Sequence, residues 1–168
     1  MANKYQTLQN GREAMVEATV TSTGVADAGE IVALGADGKL SVTVLPDGVG
    51  PLVITAVASE DITAGKFINI WNDAGTEKIR LADSTNDRPA HGFVKDAYLT
   101  GATVTAYLRT GVNDDLSGMT PGARQYLTAA GARTQTVPTS PTDVIHQFLG
   151  IAKSATIMVV DIEDEIVL

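Results

Sequence analysis

The feature that most constrains this chain is the stretch 89–123, PAHGFVKDAYLTGATVTAYLRTGVNDDLSGMTPGA. After a reversal at Thr100-Gly101, Ala102, Val104, Ala106 and Leu108 alternate with Thr103, Thr105, Tyr107 and Arg109. A period of two puts one set on a core face and the other set opposite, which predicts a half-buried strand. Gly111 and the turn Gly118-Met119-Thr120-Pro121-Gly122 then end the pattern. No segment of the chain holds the i, i+3, i+4, i+7 apolar spacing of a helix over three turns.

In chain order, residues 1–13 are polar and without a period, which reads either as a loose chain end or as an extended N-terminal arm with Tyr5 and Leu8 as its apolar contacts. Residues 14–23 are dense in β-branched side chains and are expected to form a strand. Asp37-Gly38 between apolar runs at 31–34 and 40–44 predicts a hairpin, because both turn residues tolerate positive φ. The stretch 45–51, LPDGVGP, brackets two glycines with two prolines and is the expected internal boundary. Beyond it, strands are expected at 52–58, 66–71, 79–82, 123–127, 148–152 and 156–162, with turn residues between them. An acidic, partly apolar tail closes the chain.

Strands spaced roughly 8–12 residues apart with turn signals between them predict an all-β protein, a compact antiparallel β-sandwich or barrel with an extended N-terminal arm. The expected organisation is an arm at 1–13, a β segment at 14–50 and a barrel or sandwich at 51–168 packed into one unit with the segment before it. No internal repeat stands out. A chain of 168 residues can bury roughly 70% of its unfolded surface, enough for a core without staples. It has no cysteine, so disulfides, thiol nucleophiles and zinc–thiolate sites are all excluded.

A net charge of −8 argues against binding a phosphate backbone. The first residues hold no apolar run of the kind a secretory signal needs, and no run reaches the about 18 apolar residues of a membrane span. The expectation is therefore no nucleic acid and no membrane.

The chain offers little reactive chemistry. His91 and His146 are far apart and lack ligand partners at metal-site spacing, so both read as structural. Asp114 and Asp115 are adjacent, and adjacent strand side chains point to opposite faces, which does not suit a carboxylate pair across a cleft. The Gly48-Val49-Gly50 match has no predicted helix after it to receive a phosphate. No nucleophile elbow or phosphate-binding loop is present. The residues point to no enzyme, no catalytic or metal site and no cofactor. The positions singled out are the structural turn glycines Gly92, Gly101, Gly111 and Gly122.

Several stretches carry a resemblance: AHGFV at 90–94, RTGVN at 109–113, LSGMTPGA at 116–123, HQFLGIAKSAT at 146–156, and the opening 20–40 followed by LPDGVG at 45–50. This order resembles the head decoration proteins of tailed bacteriophages, also called capsid cement proteins, some relatives of which are called head fibres. The resemblance covers nearly the whole chain.

The resemblance implies a non-enzymatic virion protein, made in the host bacterial cytoplasm, that binds the outer capsid surface and stabilises the shell. Its partners would be the major capsid protein and other copies of itself, in a homotrimer. The arm residues Tyr5, Leu8 and Arg12 are the expected capsid contacts. The alternative is a receptor- or glycan-binding domain of a tail fibre or spike, although the long shaft usual in such chains is absent from this sequence.

Overall fold

The computed structural model describes residues 4–36, 38–41, 44–45 and 50–168. The chain divides into two compact units, residues 1–50 and residues 51–168.

In the first unit, β1 (Lys4–Gln9) and β2 (Arg12–Glu17) pair antiparallel from Lys4↔Glu17 to Gln9↔Arg12. The turn is Asn10-Gly11, with φ of 52° and 76°. Two consecutive positive φ values match the twist of the flanking strands, and Asn-Gly is the pair that adopts them at least cost. The expected extended arm is thus a hairpin, and its return strand begins at Arg12 rather than Ala14. Polarity suggested a loose end, but a hairpin with little buried surface does not need apolar residues along its whole length.

The expected strand over 14–23 ends at Glu17, beyond which Thr19 bridges Val32 in parallel. Around Gly38 the chain does turn, with Gly35 N–H donating to Lys39 O at 2.8 Å. Among the described residues of 31–44, however, no strand forms. The amide of Ala33 donates to Thr19 O, so this run is engaged by an earlier segment instead of its neighbour across the turn. Asp37, Val42 and Thr43 lie outside the described residues, as do Pro46–Val49 of the expected boundary.

The second unit holds a closed five-stranded barrel and a sheet packed on its flank. The barrel strands are β3 (Val53–Ala58), β4 (Phe67–Asp73), β5 (Thr76–Leu81), β6 (Gly92–Phe93) and β7 (Thr103–Leu108), closed in the order β3-β5-β4-β6-β7. Four pairings are antiparallel, but β3 closes onto β5 in parallel, through Val57↔Lys78 and Ala58↔Ile79. The expectation of an antiparallel body fails at that one pairing. A chain entering the barrel on β3 reaches β5 only after the β4–β5 hairpin has reversed its direction.

The alternation along β7 is realised. Val104 and Ala106 are fully buried inside the barrel with Ile62, Ile68, Ile79 and Val94. Burying a side chain the size of Ile68 contributes about 2–3 kcal/mol, so this small interior supplies much of the barrel's stability.

The other layer contains β8 (Thr110–Asn113), β9 (Arg124–Leu127), β10 (Arg133–Thr134), β11 (Ile145–His146), β12 (Phe148–Ala152), β13 (Met158–Asp161) and β14 (Ile166–Val167). Five of these form a sheet in the order β10-β9-β12-β13-β8. Its inner face brings Leu127, Leu149, Met158 and Val160 against Phe67 and Phe93 from the barrel wall, making a second core. Tyr107, on the outward side of β7, packs against this core and stacks on Phe93 with ring centroids 5.5 Å apart. The acidic tail is not loose, because β14 pairs with β11 through Ile145↔Val167 and His146↔Ile166.

Candidate functional site

The three expected contact residues of the N-terminal segment do not share a face. Tyr5 faces the same side as its partner Val16, and Arg12, opposite Gln9, falls on that side too. Leu8 points the other way and is highly exposed. The residue that accompanies Leu8 on its face is Met15, also exposed, on the neighbouring strand. Strand parity explains the split, and it became visible only once Lys4–Gln9 was a strand.

The four expected turn glycines serve different needs. At Gly92 a Cβ would run into the backbone carbonyl of Tyr107, so the residue allows β6 and β7 to approach. Gly111 lies in β8 against the Phe93 ring, with a Cβ position 3.4 Å from Cζ. Gly101 and Gly122 sit in open space and contribute only a positive φ. A glycine that sequence reading passed over, Gly150 in β12, combines φ 141° with a Cβ position blocked by the carbonyl of Val159. It lies at a register shift between Phe148 and Gly150, where β12 bends against β9. Gly150 stands in a run of apolar strand residues, a signal that marks a bulge or a close approach.

The two histidines are placed on separate elements. His91 is half-buried, and its Nδ1 accepts a hydrogen bond from the Ile70 amide at 3.0 Å. Burial pushes its pKa below the ordinary value, Arg109 and Arg80 push the same way, and Glu165 opposes them. His146 meets the edge of Tyr126, with centroids 5.0 Å apart.

Of the polar triplet 113–115, the buried member is Asn113. Its Nδ2 donates to Gly65 O at 2.9 Å, and its Oδ1 accepts from the Asp115 amide. Asp114 is exposed and pairs with Lys95 at 3.4 Å. On the barrel wall, Arg80 stacks over Trp71 at 4.6 Å and donates to Asn69 Oδ1 at 2.8 Å, so these polar groups are engaged with one another. Among the described residues no group of three His, Cys, Asp or Glu side chains gathers as a metal site would require, and no helix is long and apolar enough to cross a membrane.

The surface least accounted for by folding is the outer face of the five-stranded sheet. Register places Ile151 opposite Val159 and Val159 opposite Val112, so the three form one row across β12, β13 and β8. They are 48%, 47% and 46% exposed, whereas Ala152, Met158 and Val160 beside them are buried. Beside the row lies a shallow groove of about 380 Å³ lined by Phe148, Gly150, Ile151, Ala152, Lys153, Val159 and Asp161. Arg124, opposite Ile151, covers the Phe148 ring at 4.6 Å. Sequence reading gave 148–152 and 156–162 as strands without assigning their faces. The alternation within Met158–Asp161 was the available signal that Val159 faces outward.

No family model and no curated protein matches the chain. Among solved structures, it is similar to the head fiber gp8.5 N base of bacteriophage phi29. The identity is 14% and the TM-score 0.44, over 67% of this chain and 95% of that one.

Proposed function

We propose that this chain is a non-enzymatic structural protein of a tailed-phage head, bound as a homotrimer to the outer surface of the major capsid protein, where it stabilises the shell. The observation that carries the reading is the sequence resemblance, together with where its residues fall. Segments 90–94, 109–113 and 146–156 contribute β6, β8 and β12, and Ala90, Phe93, Leu149 and Ala152 from the first and last of them lie in the core between barrel and sheet, with Met119 from 116–123. Part of the resemblance thus falls on residues that pack the two layers of this unit together. A rigid body presented in several copies suits a clamp across neighbouring capsomers, since each engaged site raises the effective concentration of the next.

The test is to add the purified chain to capsids that lack it. Co-sedimentation in many copies per particle, with a raised melting temperature of the heads, is the expected result. No binding to assembled heads, or binding only to unassembled capsid subunits, would overturn the reading.

A further inference from the structure

The outer wall of the barrel at β4 and β5 holds the one tryptophan of the chain within a run of polar contacts. Trp71 and Asn69 lie two residues apart on β4, and Arg80 lies opposite Asn69 on β5, so all three share one face. Trp71 Nε1 donates to Ser59 Oγ at 3.3 Å, and Ser59 Oγ donates to Ile79 O at 3.0 Å. The Arg80 guanidinium stacks over this anchored indole and spends its Nε on Asn69 Oδ1. Asn69 is nearly fully buried, and its Nδ2 donates to Pro89 O at 2.9 Å, which brings the Arg88-Pro89 segment to the same asparagine.

Arg80 is thus held from two directions, yet among the described residues its two Nη nitrogens donate to nothing. Arg88, also partly exposed, makes no side-chain hydrogen bond or ion pair among those residues; their ion pairs are Lys78–Asp73, Lys95–Asp114 and Arg109–Asp164. Burial pushes the Arg80 pKa below its ordinary value, the nearby charge of Arg88 pushes the same way, and Glu60 opposes them. Glu60 is itself engaged, since its Oε1 accepts from the Leu81 amide at 2.8 Å.

Two neighbouring arginines without a carboxylate at ion-pair distance run against the electrostatics of a chain with 20 acidic and 12 basic residues. The juxtaposition gives folding nothing, because like charges repel and a half-buried guanidinium loses hydration. A bound anion relieves both costs.

We propose that Arg80 and Arg88, with Arg80 braced on Trp71 and Asn69, form a binding site for a ligand carboxylate. The planar fork of Arg80 matches the two oxygens of a carboxylate, and Arg88 supplies a second positive charge. A monoanion suits the site better than a phosphate dianion, which Glu60 and a net charge of −8 would repel more strongly. The carboxylate belongs to a small organic acid or to an acidic sugar. The site needs no capsid, and its test uses the chain alone, so its failure and the failure of capsid binding are read separately.

Because Trp71 is the one tryptophan, its fluorescence reports this site. The full chain is titrated with sodium acetate and with sodium glucuronate at constant ionic strength, with glucose as the neutral control. A saturable change with a carboxylate and none with glucose is the expected result. Saturation by both salts assigns the site to a bare carboxylate, and saturation by glucuronate alone to an acidic sugar.

Arg80→Lys keeps the charge but not the fork, and should weaken binding by about tenfold. Arg88→Gln alters a side chain that makes no bond within the fold, and should weaken binding by about threefold or more. Arg124→Gln removes an equal charge from the five-stranded sheet and should leave the titration unchanged. Circular dichroism checks that each variant is folded. No saturable signal with either carboxylate would overturn the proposal. So would undiminished binding by both Arg80→Lys and Arg88→Gln, or tighter binding of inorganic phosphate than of glucuronate.

Discussion

The backbone amide of Ile70 donates to Nδ1 of His91 across a 3.0 Å hydrogen bond, linking strand β4 to the residue that opens β6. The His91 backbone amide donates in turn to Ile68 O at 2.8 Å, so His91 is tied to β4 through both its backbone and its ring. Only a neutral ring can accept at Nδ1, and this bond fixes the tautomer with its proton on Nε2.

The first prediction is therefore a loss of stability in mild acid. The folded-state pKa of His91 lies below the ordinary 6.5, chiefly through burial. As pH falls through that value the unfolded chain takes up a proton that the folded chain does not, so stability declines until the folded-state pKa is passed. Melting curves between about pH 7.5 and about pH 5 should show the decline. His91→Phe should flatten it while lowering stability at neutral pH by about 1–3 kcal/mol, because the Ile70 amide loses its acceptor. An equally steep decline in the variant would show that another group controls it.

Gln147 should be among the most sensitive polar side chains of the larger unit. It is nearly fully buried; its Oε1 accepts from the Ala90 amide at 2.7 Å, and its Nε2 donates to Ala90 O and Glu163 O at 3.0 Å each. It thereby ties the entry to β6 and the acidic tail to the sheet. Gln147→Leu keeps the volume but leaves backbone groups without partners, and should cost about 2–4 kcal/mol in chemical denaturation. A loss below about 1 kcal/mol would mean that water replaces these bonds.

The glycines should separate into two grades. Gly150→Ala faces both a positive φ and the Val159 carbonyl, and should cost about 3–5 kcal/mol or prevent folding. Gly101→Ala meets only the φ penalty in open space, and should cost about 1–2 kcal/mol. Comparable losses at both positions would show that the approach of β12 to β13 is looser than its geometry indicates.

At 113–115 the asparagine should matter and the first aspartate should not. Asn113→Ala removes the bond to Gly65 O and should cost about 1–3 kcal/mol. Asp114→Asn loses only a long, solvent-screened ion pair and should remain within about 0.5 kcal/mol of the parent. If Asp114→Asn abolished capsid binding with its melting temperature intact, Asp114 would have to be a contact residue.

Local chemistry in the sequence was enough to place most strands of the larger unit and the turns between them. The alternation of Val104 and Ala106 with their polar neighbours and the Ala74-Gly75 and Thr100-Gly101 reversals express φ preferences and a period of two that a few residues carry by themselves. The Asn10-Gly11 hairpin was legible by the same rule, but the polarity of its strands outweighed the turn in the reading. Tertiary structure alone decided which strands became partners: β3 beside β5 in parallel, β14 returning to β11, and Thr19 engaging residues 31–33 in place of the hairpin expected there. It also decided that Tyr107 would lie between two layers, and that Ile151, Val159 and Val112 would align in one exposed row. Pairing across tens of residues depends on register and on which faces can be buried together. Those are properties of the assembled layers, and no short stretch of sequence holds them.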